Sequence, residues 1–143
     1  ERSVAVEACV TSAAEARGAC EAGADRLELC RRLDVGGLTP SVAAIREVAA
    51  AVSVPLYAMI RPRAGDYRAR AGEVERMLAS IEALREAGAA GFVVGVLDGA
   101  GAVDTVGVDG CPQPMQALIA SHPMMPLKQN NSHLYGREIS ILE

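Results

Sequence analysis

Aromatic residues are almost missing from this 143-residue chain, which has no tryptophan, one phenylalanine and three tyrosines. Little is left with which to stack nucleotide bases, and a formal net charge of −4 supplies no general attraction for a polyanion. No nucleic-acid partner is expected. Long apolar runs are also lacking: nothing approaches the roughly 18–20 residues that cross a bilayer, and no basic segment leads into an apolar signal core. No membrane partner is expected, and a cytoplasmic setting is. The four cysteines, Cys9, Cys20, Cys30 and Cys111, contain no C-x-x-C pair and are too sparse for a disulfide framework, so they should be reduced thiols. His122 and His133 have no ligand spacing.

Half of the residues are hydrophobic and the charges are mixed in sign, enough for one globular domain with a real core. Strand signals cover 3–10, 25–30, 54–60 and 91–97. Helix signals lie between them, over 13–22, from Pro40 to about Ala51, and over 73–87. Ser12 with Glu15 three residues on predicts a capping box, and Gly23 and Gly88 predict helix ends. Thr39 followed by Pro40 predicts the cap and first residue of the second helix. Four βα units in a row predict an α/β fold with a parallel sheet and helices outside it. "EAGADRLEL" and "EAGAAGFVV" repeat two units apart, which suits a (β/α) barrel, although Gly-Ala helix ends are common in any αβ loop. Residues 105–143 change character, with four of the seven prolines, both histidines and the cluster "KQNNSH". They are expected to form a divergent, poorly ordered tail, with a helix remnant over 116–121 and a short final strand in "EISIL".

Side chains alternate across a strand, so parity sorts them into faces. Val4, Val6, Ala8 and Val10 share one face of the first strand, and Leu27 and Leu29 share one face of the second; these should meet the helices. Glu7 and Cys9, with Arg26, Glu28 and Cys30, then project together from neighbouring strands on the concave side, near the carboxyl ends where parallel α/β folds place ligands. A buried unpaired carboxylate is costly, so Glu7 and Glu28 require a cation, proton or ligand. Arg61 and Arg63 in "IRPRAGD" are candidate partners, as is Arg26, and guanidinium forks also suit a phosphate or carboxylate. A single buried cysteine is ordinarily core filler, and Met59 ordinarily core. Two thiols at matching strand ends without an accompanying histidine suit Cu(I), which accepts two or three sulfurs, better than zinc, which wants four ligands. Neighbouring carboxylates oppose thiol deprotonation, so such a site should be exchangeable rather than structural.

The segments "VEACV", "GADRLELC", "GGLTPS", "IRPRAGD" and "GVLDGAGAVD", in this order and spacing, resemble the CutC family of copper homeostasis proteins over about residues 4–104. The resemblance implies a TIM-type (β/α) barrel, a cytosolic setting and a role in copper handling. It also implies Cys9 and Cys30 as Cu(I) ligands, with Glu7, Glu28, Arg61, Arg63 and Asp66 among the polar positions lining the barrel mouth. Ala64 stands where the family usually carries a second glycine, which should restrict approach of a ligand to the backbone. A full barrel takes about 250 residues, so residues 1–104 should build its N-terminal half, about four βα units. Open edges then favour a homodimer. No catalytic residue is assigned; the alternative reading is a barrel enzyme acting on a small anion, with Arg61 and Arg63 holding it and Glu7 or Glu28 as general base.

Overall fold

The computed structural model describes residues 5–95, 97 and 100. Along the chain run β1 (Glu7–Val10), α1 (Ala13–Glu21), β2 (Arg26–Leu29), a 3₁₀ turn (Leu33–Val35), α2 (Val42–Ala51), β3 (Leu56–Ile60), α3 (Glu73–Ala87) and β4 (Gly91–Val94). The four strands form one parallel sheet in the order β1-β2-β3-β4, each joined to the next through a helix. Among the described residues β1 and β4 are its edges. The expected tail, with its helix remnant and final strand, lies outside the described residues.

Parity explains where the core sits. Leu27 and Leu29 of β2 and Leu56, Ala58 and Ile60 of β3 share the face that packs on the helices, closing against Ile45, Val48, Ile81 and Leu84. Burial of each such leucine or isoleucine is worth about 1.5–3 kcal/mol. The opposite face carries the polar residues and faces away from the helices.

Helix ends show which local signals operate. The two copies of the Glu-Ala-Gly-Ala repeat build the same stop. Gly23 and Gly88 adopt φ of 94° and 119°, and their N–H groups reach back to the Cys20 and Arg85 carbonyls. The next residues, Ala24 and Ala89, donate to the Ala19 and Leu84 carbonyls. This is the Schellman pattern, which needs glycine at the left-handed position. At the start of α1, Ser12 Oγ accepts from the Glu15 N–H at 3.2 Å. The other half of the box is displaced by one residue, because the Glu15 carboxylate takes the N–H and hydroxyl of Thr11.

The start of α2 differs from the sequence-based expectation. Its cap is Ser41, whose Oγ accepts from Ala44 N–H at 3.1 Å, so Thr39 and Pro40 precede the helix. Thr39 is occupied elsewhere: its hydroxyl accepts the Arg61 N–H at 2.8 Å and its own N–H donates to the Arg61 carbonyl at 3.0 Å. A long-range pairing thus outcompetes the local cap. The strands are also shorter than the periodicity suggests. Before β1, Val6 is non-strand but its carbonyl accepts the amides of Asp25 and Arg26. After β4, Leu97 forms an isolated parallel bridge with Arg68.

Candidate functional site

The concave face is built in rows that cross the strands. At its floor, the first residues of β1 and β2 are register partners, and the Arg26 guanidinium donates to the Glu7 carboxylate in a pair whose side chains are 16% and 8% exposed. Arg26 also lies over the Tyr57 ring, 4.4 Å from its centroid. The ring in turn lies on the backbone of Gly91, where an added Cβ would stand 2.6 Å from it. One ladder, Glu7–Arg26–Tyr57–Gly91, therefore spans all four strands. Glu7 belongs to this floor, not to the mouth, and its cation is Arg26, not Arg61.

By register, Cys9, Glu28 and Tyr57 are successive partners on β1, β2 and β3, so Tyr57 is shared between the floor and the row above it. Glu28 is buried at 8% exposure. Cys30 follows one residue beyond β2 and is fully buried, while Cys9 is exposed. Their sulfurs are 3.6 Å apart, within thiol–thiol hydrogen-bond reach and not joined as a disulfide. Parity predicts the common face; register supplies the closeness, since Cys9 pairs with Glu28 and Cys30 lies two residues further along on the same face. Cys20, on α1, packs with the helix-side core.

The segment between β2 and α2 closes over Cys30. Arg31 and Leu38 form an antiparallel bridge, and the turn between them uses Gly36 and Gly37 at φ of 89° and 92°. A Cβ on Gly37 would meet Cys30 Sγ, Cys30 Cβ and Met59 Cε, each at 3.4 Å. Cys30, Leu38 and Met59 are buried, yet they stand outside the cluster formed between sheet and helices.

Arg61 and Arg63 are spent on loops rather than on the strand carboxylates. Arg61, 7% exposed, donates through Nη1 to the carbonyls of Val35 (2.8 Å) and Gly37 (3.1 Å) and through Nη2 to Gly65 (2.8 Å). Its guanidinium also stacks on Tyr67, 4.3 Å from the ring centroid. It clamps the β2–α2 loop to the β3–α3 loop, and only its buried Nε has no hydrogen-bond partner among the described residues. Arg63 donates to Glu73 (2.8 Å), Asp66 (2.7 Å) and the Arg68 carbonyl (2.6 Å). The hydrogen bond from Arg63 holds the Asp66 carboxyl below its ordinary value. Glu73 is lowered too, first by the Arg70 N–H and then by Arg63. Ala64 causes no strain: Gly65 takes the left-handed backbone at φ 97°, and Ala64 has no positive φ.

Sequence reasoning overlooked Tyr57 and Tyr67, whose rings carry Arg26 and Arg61, and also Gly37, Gly91 and Glu73. Gly37 and Gly91 act through the side chain they lack, and nothing local marks them. Glu73 was read only as a helix residue, although an acid in a helix's first turn is a recognisable signal for a charge-paired position. Among the described residues no three of His, Cys, Asp and Glu cluster as a metal site, and no helix is long and apolar enough to cross a membrane.

Comparison with known proteins gives a consistent result. The family model described as the CutC family matches residues 4–121. A CutC family protein of Photobacterium profundum is 43% identical over 101 residues, covering 71% of this chain and 41% of its own length. The copper homeostasis protein cutC homolog of Caenorhabditis elegans is 41% identical over 105 residues, covering 73% and 42%. A solved CutC structure from Streptococcus agalactiae superimposes with a TM-score of 0.72 at 28% identity, over 81% of this chain and 57% of that one. The chain thus spans about two-fifths of the length of these curated relatives. The parallel sheet with its flanking helices is part of a TIM-type (β/α) barrel.

Proposed function

From the premise that this chain belongs to the CutC family of copper homeostasis proteins, we propose that it binds Cu(I) through Cys9 and Cys30. The observation that carries this reading is the 3.6 Å separation of the two sulfurs on the concave face. Thiolates are the soft donors that select Cu(I); Cys9 lies on β1 and Cys30 directly follows β2, so neighbouring strands of one sheet present both. The exposed Cys9 offers the point of entry and the buried Cys30 the inner ligand. Each cysteine gives up its thiol proton on binding, so affinity should rise with pH. Glu7, already paired with Arg26, adds little uncompensated negative charge to oppose that ionisation. The exposure of Cys9 agrees with exchange of copper in the cytoplasm rather than with permanent storage. Anaerobic titration with Cu(I) against a competing chelator tests the assignment: the Cys9→Ala/Cys30→Ala variant should lose the site, and unchanged affinity would dispose of it.

A second reading, binding of a small phosphate or carboxylate near Arg61, Arg63 and Asp66, is favoured by one observation, the buried Arg61 Nε without a partner among the described residues. The remaining guanidinium donors are committed to carbonyls and carboxylates. Phosphate titration followed by the Arg61 side-chain Nε–H resonance would decide it, and no movement at millimolar phosphate would end it.

The two sheet edges lead to a partner proposal. Among the described residues β1 and β4 are unpaired on their outer sides, and unpaired edges template further pairing, so two copies should associate through β1 or β4. Sedimentation should show a concentration-dependent dimer, and a monomer at all concentrations would refute the association.

A further inference from the structure

Resting on the reading of Cys9 and Cys30 as Cu(I) ligands, we infer that Met59 supplies a third sulfur to the same ion, completing a three-coordinate thiolate–thiolate–thioether site beneath the Gly37 turn. Two independent observations support it. The first is the sulfur–sulfur distance. With metal–sulfur bonds of about 2.3 Å a linear pair would stand about 4.6 Å apart, whereas sulfurs that keep their 3.6 Å separation on loading would subtend an angle of about 100° at the metal. A bent pair leaves one side of the ion open, and a soft ion fills it with a further ligand.

The second is the position of Met59. It lies on β3 with the parity of Tyr57, on the concave face, opposite Val93 of β4. Leu29 pairs with Ala58, so the next residues along the two chains, Cys30 and Met59, fall side by side. A single methyl placed on Gly37 would touch both Cys30 Sγ and Met59 Cε at 3.4 Å. The Cys30 sulfur and the Met59 methyl thus flank the same point beneath the turn, and φ of 92° reserves position 37 for glycine. Met59 is 7% exposed and outside the helix-side core, so packing against the helices does not account for it. Glu28 is the competing donor on this face, but a carboxylate is a hard ligand, and a thioether matches Cu(I) better. Met59 is neutral, so its coordination releases no proton and leaves the copper in its Cu(I) state.

The test uses the full chain loaded anaerobically with Cu(I). Copper X-ray absorption should count three sulfurs for the native sequence and two for Met59→Leu, a near-isosteric change that keeps the fold. Chelator competition should show Met59→Leu at least about tenfold weaker, since loss of even an outer-shell partner costs that much. A Met59→Leu protein with native affinity and three sulfurs overturns the inference while leaving the two-cysteine site standing. Native binding by Cys9→Ala/Cys30→Ala instead removes the underlying reading. If Glu28→Gln abolishes the third ligand and Met59→Leu does not, the inference is overturned in favour of a carboxylate. A selenomethionine chain carrying Met77→Leu, Met115→Leu, Met124→Leu and Met125→Leu places selenium at position 59 alone. A copper neighbour in its selenium absorption spectrum supports the inference, and its absence overturns it even if Met59→Leu fails to fold.

Discussion

The ring of Tyr57 occupies the space that a side chain on Gly91 would need: a Cβ there would stand 2.6–2.9 Å from three of the ring carbons. The contact joins β3 to β4 across the concave face and holds the ring beneath Arg26. Steric exclusion at position 91 is thus part of the same ladder that compensates the charge of Glu7.

Gly91→Ala should therefore destabilise the protein by about 1–3 kcal/mol, the usual cost of overpacking. Backbone entropy favours alanine over glycine in a strand by only about 0.5–1 kcal/mol, so the clash wins. Urea unfolding measures the loss. In a Tyr57→Leu background, where the ring is gone, the same substitution should be nearly neutral.

Glu7→Gln should cost about 3 kcal/mol, because it leaves the half-buried Arg26 cation without its carboxylate. Replacing both partners, as Glu7→Gln/Arg26→Met, should recover most of that stability. Chemical denaturation of the two single variants and the double variant gives the coupling directly; additive losses would show that the pair is not linked.

Arg61→Lys keeps the charge but not the planar fork that reaches Val35, Gly37 and Gly65 together while stacking on Tyr67. A loss of about 2–4 kcal/mol is expected, from charge-assisted bonds worth about 1.5–3 kcal/mol each, partly retained by lysine. Hydrogen exchange should quicken at Gly37 and Leu38, whose amides close the turn onto Arg32 and Arg31. Protection unchanged from the native protein would contradict the clamp.

Acid should release the loop that follows β3. The carboxyls of Asp66 and Glu73 are held below their ordinary values, Asp66 chiefly by Arg63 and Glu73 chiefly by the Arg70 N–H. A depressed folded-state pKa stabilises fully above the unfolded value of about 4, and that contribution fades as pH falls through the folded value. Exchange protection over residues 61–73 should hold at neutral pH and decline below about pH 4. In Arg63→Gln the decline should be shallower and begin from a lower plateau.

Much of this was readable along the chain. Alternation placed Leu27 and Leu29 on the helix side and Glu28 and Cys30 on the other, because successive side chains of a strand must point opposite ways whatever surrounds them. The stops at Gly23 and Gly88 were equally local, since a left-handed residue after a helix nearly demands glycine. Thr39 misled for the opposite reason. As an N-cap it was as good as Ser41, and the choice between them was made by Arg61, 22 residues away.

The sequence by itself determined the order of βα units, the two faces of each strand and the family to which the chain belongs. These depend on short-range stereochemistry and on motifs a few residues long. Tertiary structure alone decided that Glu7 meets Arg26, that Arg61 binds carbonyls instead of carboxylates, and that two thiols 21 positions apart come within 3.6 Å. Those outcomes depend on strand register and on how two long loops fold over the sheet, and both are set by packing summed over the whole domain, which no local pattern encodes.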